Sequence, residues 1–176
     1  VGEAPAITSA STTTFTSLQH GAFTVTATGY PVPTLSYSGT LPSGVTFTPN
    51  ANGTATISGT PTATGTCTIT ITASNGVTPH AVPTVTLSVG RAPAITSANN
   101  ATFTVGQPGS FTVTTTGYPA PTLSLSGTLP SGVTFTPNAN GTATISGTPT
   151  AGGTFTVTIT ASNGVTPNAT QTFTLK

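Results

Sequence analysis

This 176-residue chain carries only three charged side chains, Glu3, Arg91 and Lys176, and its formal net charge is +1. Without aspartate it lacks the paired carboxylates of a glycosidase, the anionic oxygens of a calcium site and the acid of a nucleophilic triad. Two cations do not form the basic stripe that nucleic-acid binding requires, and no run of 18 apolar residues is present. The composition therefore predicts no cofactor, metal, nucleic acid or membrane insertion.

Short segments that alternate apolar and hydroxylated residues follow one another along the chain. Threonine supplies 47 residues, and its branched Cβ favours extended backbone while its hydroxyl meets water. Alternation at period two is typical of strands with one buried face. In the first 88 residues it predicts about seven strands, near Ala6–Ala10, Phe23–Thr28, Thr34–Ser38, Val45–Thr48, Thr54–Ser58, Thr66–Ala73 and Thr84–Val89.

Turn-forming residues separate these segments at short intervals, and no helical period is present. Asn52-Gly53, between two alternating runs, is the strongest hairpin signal. Many short strands with closely spaced turns are typical of a β-sandwich. The predicted turns are Gly29–Pro33, Leu41–Gly44, Pro49–Gly53, Gly59–Gly65 and Ser74–Gly76.

The chain repeats itself at a spacing of 88 residues, with 69 of the 88 aligned pairs identical. A period of this kind indicates a tandem array, and we expect one sandwich in residues 1–90 and a second in residues 91–176. Because Val1-Gly2 matches Val89-Gly90, we expect these units to be part of a longer array. Pro93 follows closely on the first unit and stiffens the short connection. We therefore expect the units to lie end to end as a semi-rigid rod, which small-angle scattering can test.

Three segments resemble a known family. Leu41–Phe47 reads LPSGVTF, Asn52–Ala63 reads NGTATISGTPTA and Gly65–Gly76 reads GTCTITITASNG, and the second unit repeats them with Phe155 in place of Cys67. They resemble the He-PIG family of bacterial immunoglobulin-like repeats. The resemblance implies Greek-key β-sandwiches in tandem, related to cadherin-like modules, that serve as spacers and adhesive segments of large secreted or surface-attached bacterial proteins. It brings no catalytic residues, and the Val89–Pro93 junction lacks the acidic ligands that would permit stiffening by calcium.

Tyrosine and asparagine residues in the predicted loops are the candidates for a binding site. Tyr30 and Tyr118, each followed by Pro-x-Pro-Thr, offer either a platform for a sugar ring or a cover for the open end of the sandwich. We favour the cover, because few amides and no nearby carboxylates would complete a sugar site. In an immunoglobulin-like topology these loops share one end of each unit, which in the second unit would face the first. The candidates for ligand or interdomain contact are Tyr30, Asn52, Asn75, Tyr118, Asn140 and Asn163.

Several other residues have modest expected roles. Cys67, the only thiol, aligns with Phe155 on the inward face, so we expect a buried and inert side chain. His20 and His80 have no histidine counterpart in the second unit, and we expect both on surface loops. Four asparagines lie in Asn-x-Thr sequons and are glycosylated only if the host modifies them: Asn52, Asn100, Asn140 and Asn168.

These observations predict a non-enzymatic spacer or stalk module from an extracellular or cell-surface protein, with neighbouring repeats of the same chain as its main partners. Two alternatives remain open. One is an adhesion module that binds a cell-surface carbohydrate or protein through the loop tyrosines and asparagines. The other is a self-associating subunit of an extracellular fibre or virion surface, because uncharged sheet edges and near-zero net charge favour association.

Overall fold

The computed structural model describes all residues from Val1 to Lys176, and every regular element in it is a β-strand. The predicted all-β class is therefore confirmed. The chain divides into two units, Val1–Gly90 and Arg91–Lys176. The strands that build unit 1 are β1 (Glu3–Ile7), β2 (Thr12–Thr16), β3 (Gly21–Tyr30), β4 (Thr34–Ser38), β5 (Val45–Pro49), β6 (Thr54–Gly59), β7 (Gly65–Ser74) and the first part of β8 (Thr84–Ile95).

Two sheets form unit 1. The first has the strand order β1-β3-β6-β5, and all its neighbours are antiparallel. In the second, β7 pairs antiparallel with both β4 and β8, and β2 pairs parallel with β8. Inward side chains of both sheets form one apolar core, as the period-two alternation predicts.

The first predicted strand, near Ala6–Ala10, is wrong in its bounds. The chain instead forms β1, which ends at Ile7, and β2, which begins at Thr12. These strands belong to different sheets, because β1 pairs with β3 and β2 pairs with β8. The segment between them therefore carries the chain from one sheet to the other, which no local alternation predicts.

Besides residues 91–95 of β8, the strands that build unit 2 are β9 (Asn100–Ala101), β10 (Gly109–Val113), β11 (Thr115–Tyr118), β12 (Thr122–Ser126), β13 (Val133–Pro137), β14 (Ala143–Gly147), β15 (Phe155–Ser162) and β16 (Ala169–Leu175). Unit 2 repeats the arrangement of unit 1 with two visible changes: the third strand is divided, and the parallel strand β9 has two residues where β2 has five. Residues 91–95 of β8 pair with β11, β10 pairs with β14, and a second sheet has the order β12-β15-β16-β9. Where unit 1 has the continuous β3, unit 2 has two strands separated at Thr114. Thr115 Oγ1 donates to Gly141 O at 2.6 Å, whereas the equivalent Ala27 donates its backbone N–H to Gly53 O at 3.0 Å.

The two cores are equivalent but not identical. Ile57 and Ile71 are fully buried in unit 1, as are Ile145 and Ile159 at the same positions of unit 2. The largest difference inside the core is Phe173, whose ring packs on Phe111 with centroids 5.0 Å apart. No polar or charged residue is buried in either core, so apolar burial and the strand ladders hold each unit together.

Candidate functional site

The loops that follow β3, β5 and β7 meet at one end of unit 1. Asn75 Nδ2 donates a hydrogen bond to Pro31 O at 2.8 Å, which joins the third loop to the first. A β-carbon built on Gly53 would lie 3.2 Å from Val32 Cγ1, which places the second loop against the first. The structure therefore brings the loops of Tyr30, Asn52 and Asn75 together, as an immunoglobulin-like topology requires.

Asn75 fastens this end of unit 1 to the first strand. Its amide nitrogen also donates to Glu3 O at 2.7 Å, and its Oδ1 accepts from Val77 N at 3.1 Å. Both amide hydrogens are therefore used on the carbonyls of Glu3 and Pro31, because an asparagine amide has two donors. This internal role was missed at the sequence level, where Asn75 was a candidate for ligand or interdomain contact.

The same bonds recur in unit 2. Asn163 Nδ2 donates to Arg91 O at 2.8 Å and to Pro119 O at 2.9 Å, and Oδ1 accepts from Val165 N at 3.1 Å. The unchanged Ser-Asn-Gly sequence at Ser162–Gly164 was the available signal, since it occurs at the same place in both units. Asn163 thus ties the entering strand of unit 2 to the proline loop.

Asn52 and Asn140 differ from Asn75 and Asn163, because their side-chain amide nitrogens make no hydrogen bond within the chain. Asn52 Oδ1 accepts from Thr54 Oγ1 at 2.7 Å, and Asn140 Oδ1 accepts from Thr142 Oγ1 at 2.7 Å and from Thr142 N at 3.2 Å. These bonds use the acceptor oxygen and leave the amide nitrogens facing solvent without a partner in the chain. Both side chains can therefore donate two hydrogen bonds to an external group.

Tyr30 and Tyr118 do not cover the end of the sandwich, contrary to the favoured interpretation. Tyr30 is 66% exposed and Tyr118 is 43% exposed. At the adjacent Gly29, an added β-carbon would be 2.9 Å from Asn75 Nδ2 and 3.2 Å from Pro33 Cγ. Asn75 and the buried Pro33 thus pack closely at this end beside Gly29, and the neighbouring Tyr30 side chain stays exposed.

The other singled-out residues are distributed over the surface. His20 and His80 lie exposed outside the strands, as predicted. The glycosylation candidates are also exposed, and modification of them stays a prediction. Asn52 and Asn140 lie in the turns before β6 and β14, Asn100 lies in β9, and Asn168 lies just before β16.

Cys67 is only half-buried, so the expectation of a buried thiol is wrong in degree. It lies in β7 opposite Leu87 of β8, and its inward position agrees with the alternation. Loss of solvation raises the pKa of the Cys67 thiol, while hydrogen bonds with the backbone of Leu87 and of Cys67 itself act in the opposite direction. The thiol is therefore protonated and weakly reactive near neutral pH.

The loop end offers mainly neutral groups for recognition, namely a phenol ring, amides, hydroxyls and backbone, while Glu3 lies opposite Tyr30 in unit 1 and Arg91 lies opposite Tyr118 in unit 2. No group of three or more histidine, cysteine, aspartate or glutamate side chains lies close enough together to hold a metal ion. None of the chain's structure is a helix of the length and apolarity needed to cross a bilayer. Such a surface can contact a ligand by stacking and hydrogen bonding.

Two antiparallel sheets with a parallel pairing of terminal strands define each unit as an immunoglobulin-like β-sandwich, and solved structures agree on this class. The I67–I69 fragment from the I-band of titin matches with a TM-score of 0.72 at 14% identity, over 99% of this chain and 66% of the fragment. An E-to-A variant of titin domains I67–I69 matches with a TM-score of 0.65 at 16% identity, over 99% and 65%. Titin A168–A169 matches with a TM-score of 0.57 at 12% identity, over 98% of each chain. At these identities the likeness establishes the fold alone, and the chain spans about two thirds of the first two fragments.

The family follows from the sequence itself. The He_PIG family model, described as "Putative Ig domain", matches residues 4–90 and again residues 92–176. The chain therefore belongs to this family and contains two tandem copies, which confirms the resemblance found in the repeated segments. No curated protein sequence matches the chain.

Proposed function

We propose that the two units form a non-enzymatic spacer of a longer, secreted or surface-attached bacterial protein, and that each unit resists tension along the chain. The observation that carries this proposal is the parallel pairing of β2 with β8 over five residue pairs, from Thr12↔Thr86 to Thr16↔Gly90. One of these strands lies near the start of unit 1 and the other leads out of it. Their hydrogen bonds therefore connect the two ends through which a pull is transmitted.

The direction of this pairing determines how the bonds respond to a pull. When parallel terminal strands are drawn apart along their length, all the bonds between them are sheared together instead of opening one at a time. Backbone bonds extend the pairing at both ends, since Thr86 N donates to Ser11 O at 2.9 Å and Ser17 N donates to Gly90 O at 2.7 Å. This arrangement suits a module that keeps its shape within a stalk.

Unit 2 has the same connection between its terminal strands. Thr174 and Leu175 of β16 pair parallel with Asn100 and Ala101 of β9. Lys176 extends the pairing, because its N–H donates to Ala101 O at 3.0 Å and its carbonyl accepts from Phe103 N at 2.8 Å. A repeated unit that carries the same device at the same place supports a structural function over a unit-specific one.

A proline scan of β2 under force tests the proposal. Ser11 O and Ser17 N both face β8, so alternation places the N–H of Thr13 toward β8 and that of Thr14 away from it. We expect Thr13→Pro to lower the force at which unit 1 unfolds when the two-unit chain is pulled by its termini. Thr14→Pro is the matched control and should retain most of that force, because it removes a donor that faces solvent. Equal unfolding forces for the two variants would contradict the proposal.

The loop end supports a second candidate function, adhesion to a neutral surface glycan or protein. The observation in its favour is the exposed Tyr30 beside Val32, which is 56% exposed, together with the free amide of Asn52. Exposed aromatic and amide groups in one place fit stacking on a sugar ring with hydrogen bonds at its edge. Glycan-array binding that disappears in a Tyr30→Ala, Tyr118→Ala double variant would favour adhesion, whereas the spacer function predicts no binding in either protein.

A further inference from the structure

Unit 1 has an open cleft at the end where β7 begins, near Val89 of β8. The cleft has a volume of about 340 Å³ and lies between the loop before β5 and the loop before β7. Leu41, Pro42, Ala63 and Val89 supply its apolar walls, and Cys67 lies among them. No charged side chain lines it. A preformed apolar space of this size, with a few hydroxyl groups beside it, has the properties of a small-molecule site.

Unit 2 has only a small cavity of about 20 Å³ in this region, which Pro130, Ala151, Gly153 and Phe155 line together with residues on the side of Phe103 and Leu175. Leu129, Pro130 and Ala151 repeat three of the four wall residues of unit 1 without change. The position of Cys67 is taken by Phe155, and both residues stand in the same register, Cys67 opposite Leu87 and Phe155 opposite Leu175. A phenyl ring therefore occupies in unit 2 the space that is open in unit 1.

The glycine at the start of each β7-type strand locates the ring. A β-carbon built on Gly153 would lie 3.4 Å from Phe155 Cε2 and 3.7 Å from Phe155 Cζ. A β-carbon built on the equivalent Gly65 would have no heavy atom within 4 Å. The ring therefore packs against Gly153, and the matching volume beside Gly65 is empty.

Tyr37 does not replace the missing ring in unit 1. Tyr37, the one aromatic that unit 1 has in place of a leucine, packs on Phe47 with ring centroids 4.8 Å apart and does not line the cleft. The space beside Gly65 that the Phe155 ring occupies beside Gly153 is therefore left open in unit 1.

We propose that this cleft is a binding site for a small, uncharged, monocyclic aromatic molecule whose ring takes the place of the Phe155 ring. An apolar cavity of roughly 150 Å³ is enough to hold benzene, so the cleft has room for a ring with a short substituent. The Cys67 sulfur can contact the ring, a favourable arrangement for sulfur and aromatic groups. A hydroxyl on the substituent would meet Ser43 or Thr64 at the mouth, whereas a charged substituent would lose hydration without gaining a partner.

A methyl NMR titration of the two-unit chain with benzyl alcohol tests the site. We expect saturable shifts at the methyl groups of Leu41, Ala63 and Val89, which line the cleft. Leu129 and Ala151 are internal controls and should not shift, because Phe155 fills the equivalent space. The absence of saturable shifts in unit 1, or equal shifts in both units, would overturn the proposal.

Three substitutions then locate the ligand. Cys67→Phe places the ring in the cleft and should weaken binding by at least about tenfold, a change of about 1.4 kcal/mol. Cys67→Ala leaves the cleft open, so its Kd should stay within about threefold of the parent value, less than about 0.7 kcal/mol. Phe155→Cys should create binding in unit 2, with new shifts at Leu129 and Ala151.

Two outcomes would contradict the assignment. Retained binding in Cys67→Phe with that variant folded, as its unperturbed unit 2 and native strand signals would show, places the ligand elsewhere. Shifts at the cleft methyl groups with N-acetylphenylalanine amide but none with benzyl alcohol would assign the cleft to a peptide side chain and overturn the small-molecule proposal. If Phe155→Cys unfolds unit 2, the pair Cys67→Phe and Cys67→Ala decides the question alone.

Discussion

At the scale of single residues, Leu18 is the one non-glycine residue in a left-handed backbone conformation, with φ at 64°. Its side chain is 68% exposed, so its conformation gains little from burial. Gly106 occupies the equivalent position of unit 2 with φ at 75°. We expect Leu18→Gly to raise the free energy of unfolding of unit 1 by about 0.5–1 kcal/mol, because relief of the steric cost exceeds the entropy that glycine adds to the unfolded chain.

Urea unfolding of the two-unit chain, followed at NMR signals of each unit, measures this change. Gly106→Leu is the reciprocal control and should destabilise unit 2 by a similar amount. A loss of stability in Leu18→Gly would mean that the leucine side chain makes a contact worth more than the backbone cost.

Replacement of Asn75 tests whether its amide hydrogen bonds stabilise unit 1. Asn75→Ala should lower the free energy of unfolding of unit 1 by about 1–2 kcal/mol, because the carbonyls of Glu3 and Pro31 lose their donor. Asn75→Asp should also destabilise, since a carboxylate accepts from Val77 N but cannot donate to the two carbonyls. Signals of unit 2, where Asn163 is intact, provide the reference in the same sample. An unchanged Asn75→Asp variant would show that the amide donors contribute nothing.

At the scale of elements, the sequence predicted strands best where their apolar residues alternate. The bounds of β4, Thr34–Ser38, are those predicted, whereas β2 was missed altogether. In β2 the only apolar side chain is Phe15, so alternation is absent, and the strand forms because β8 offers a partner far along the chain. Pairing between distant segments leaves no local pattern to detect.

In the candidate site, too, the sequence predicted some features, whereas contacts between distant segments determined the others. A shared end for the Tyr30, Asn52 and Asn75 loops follows from the topology of the fold, which the repeated segments indicated. The bonds from Asn75 to Glu3 and Pro31 could not be predicted, because they depend on how the first strand enters the unit. Likewise, the sequence showed a cysteine in place of a phenylalanine, but only the packing shows that no neighbour fills the space.

The stability of β7 and its loop tests that packing. Cys67→Phe should raise the free energy of unfolding of unit 1 by about 1–2 kcal/mol, because the new ring fills empty volume. The unit 2 backbone already accepts a ring at this position, and Tyr37 does not compete for the space. Urea unfolding of the parent and variant chains, followed at NMR signals of unit 1, measures the effect. Cys67→Ala, which adds no volume, is the control. Destabilisation by phenylalanine would show that the walls of the cleft collapse inward in solution and that the ring overpacks them.

At the scale of the whole molecule, the near absence of charge determines how the protein responds to its surroundings. Three charged side chains give few pairs for salt to screen. The cores contain no buried polar or charged residue, so no buried ion pair needs to be kept in a particular protonation state. We expect a chain with this composition to keep similar stability over a wide range of ionic strength.

The pH dependence of stability has one cause that the structure identifies. Burial raises the pKa of the Cys67 thiol in the folded chain above its value in the unfolded chain. Below the unfolded pKa both states hold the proton, so the contribution of the thiol to stability is fully present at neutral and acidic pH. As the pH rises toward the folded pKa, the unfolded chain ionises first and this contribution is lost.

We expect the stability difference between the parent and Cys67→Ala to be constant at neutral pH and to shift against the parent in the alkaline range. Urea unfolding of unit 1 at a series of pH values measures it, with unit 2 as the reference without a thiol. A difference that stays constant into the alkaline range would show that the thiol is as well solvated in the folded chain as in the unfolded one.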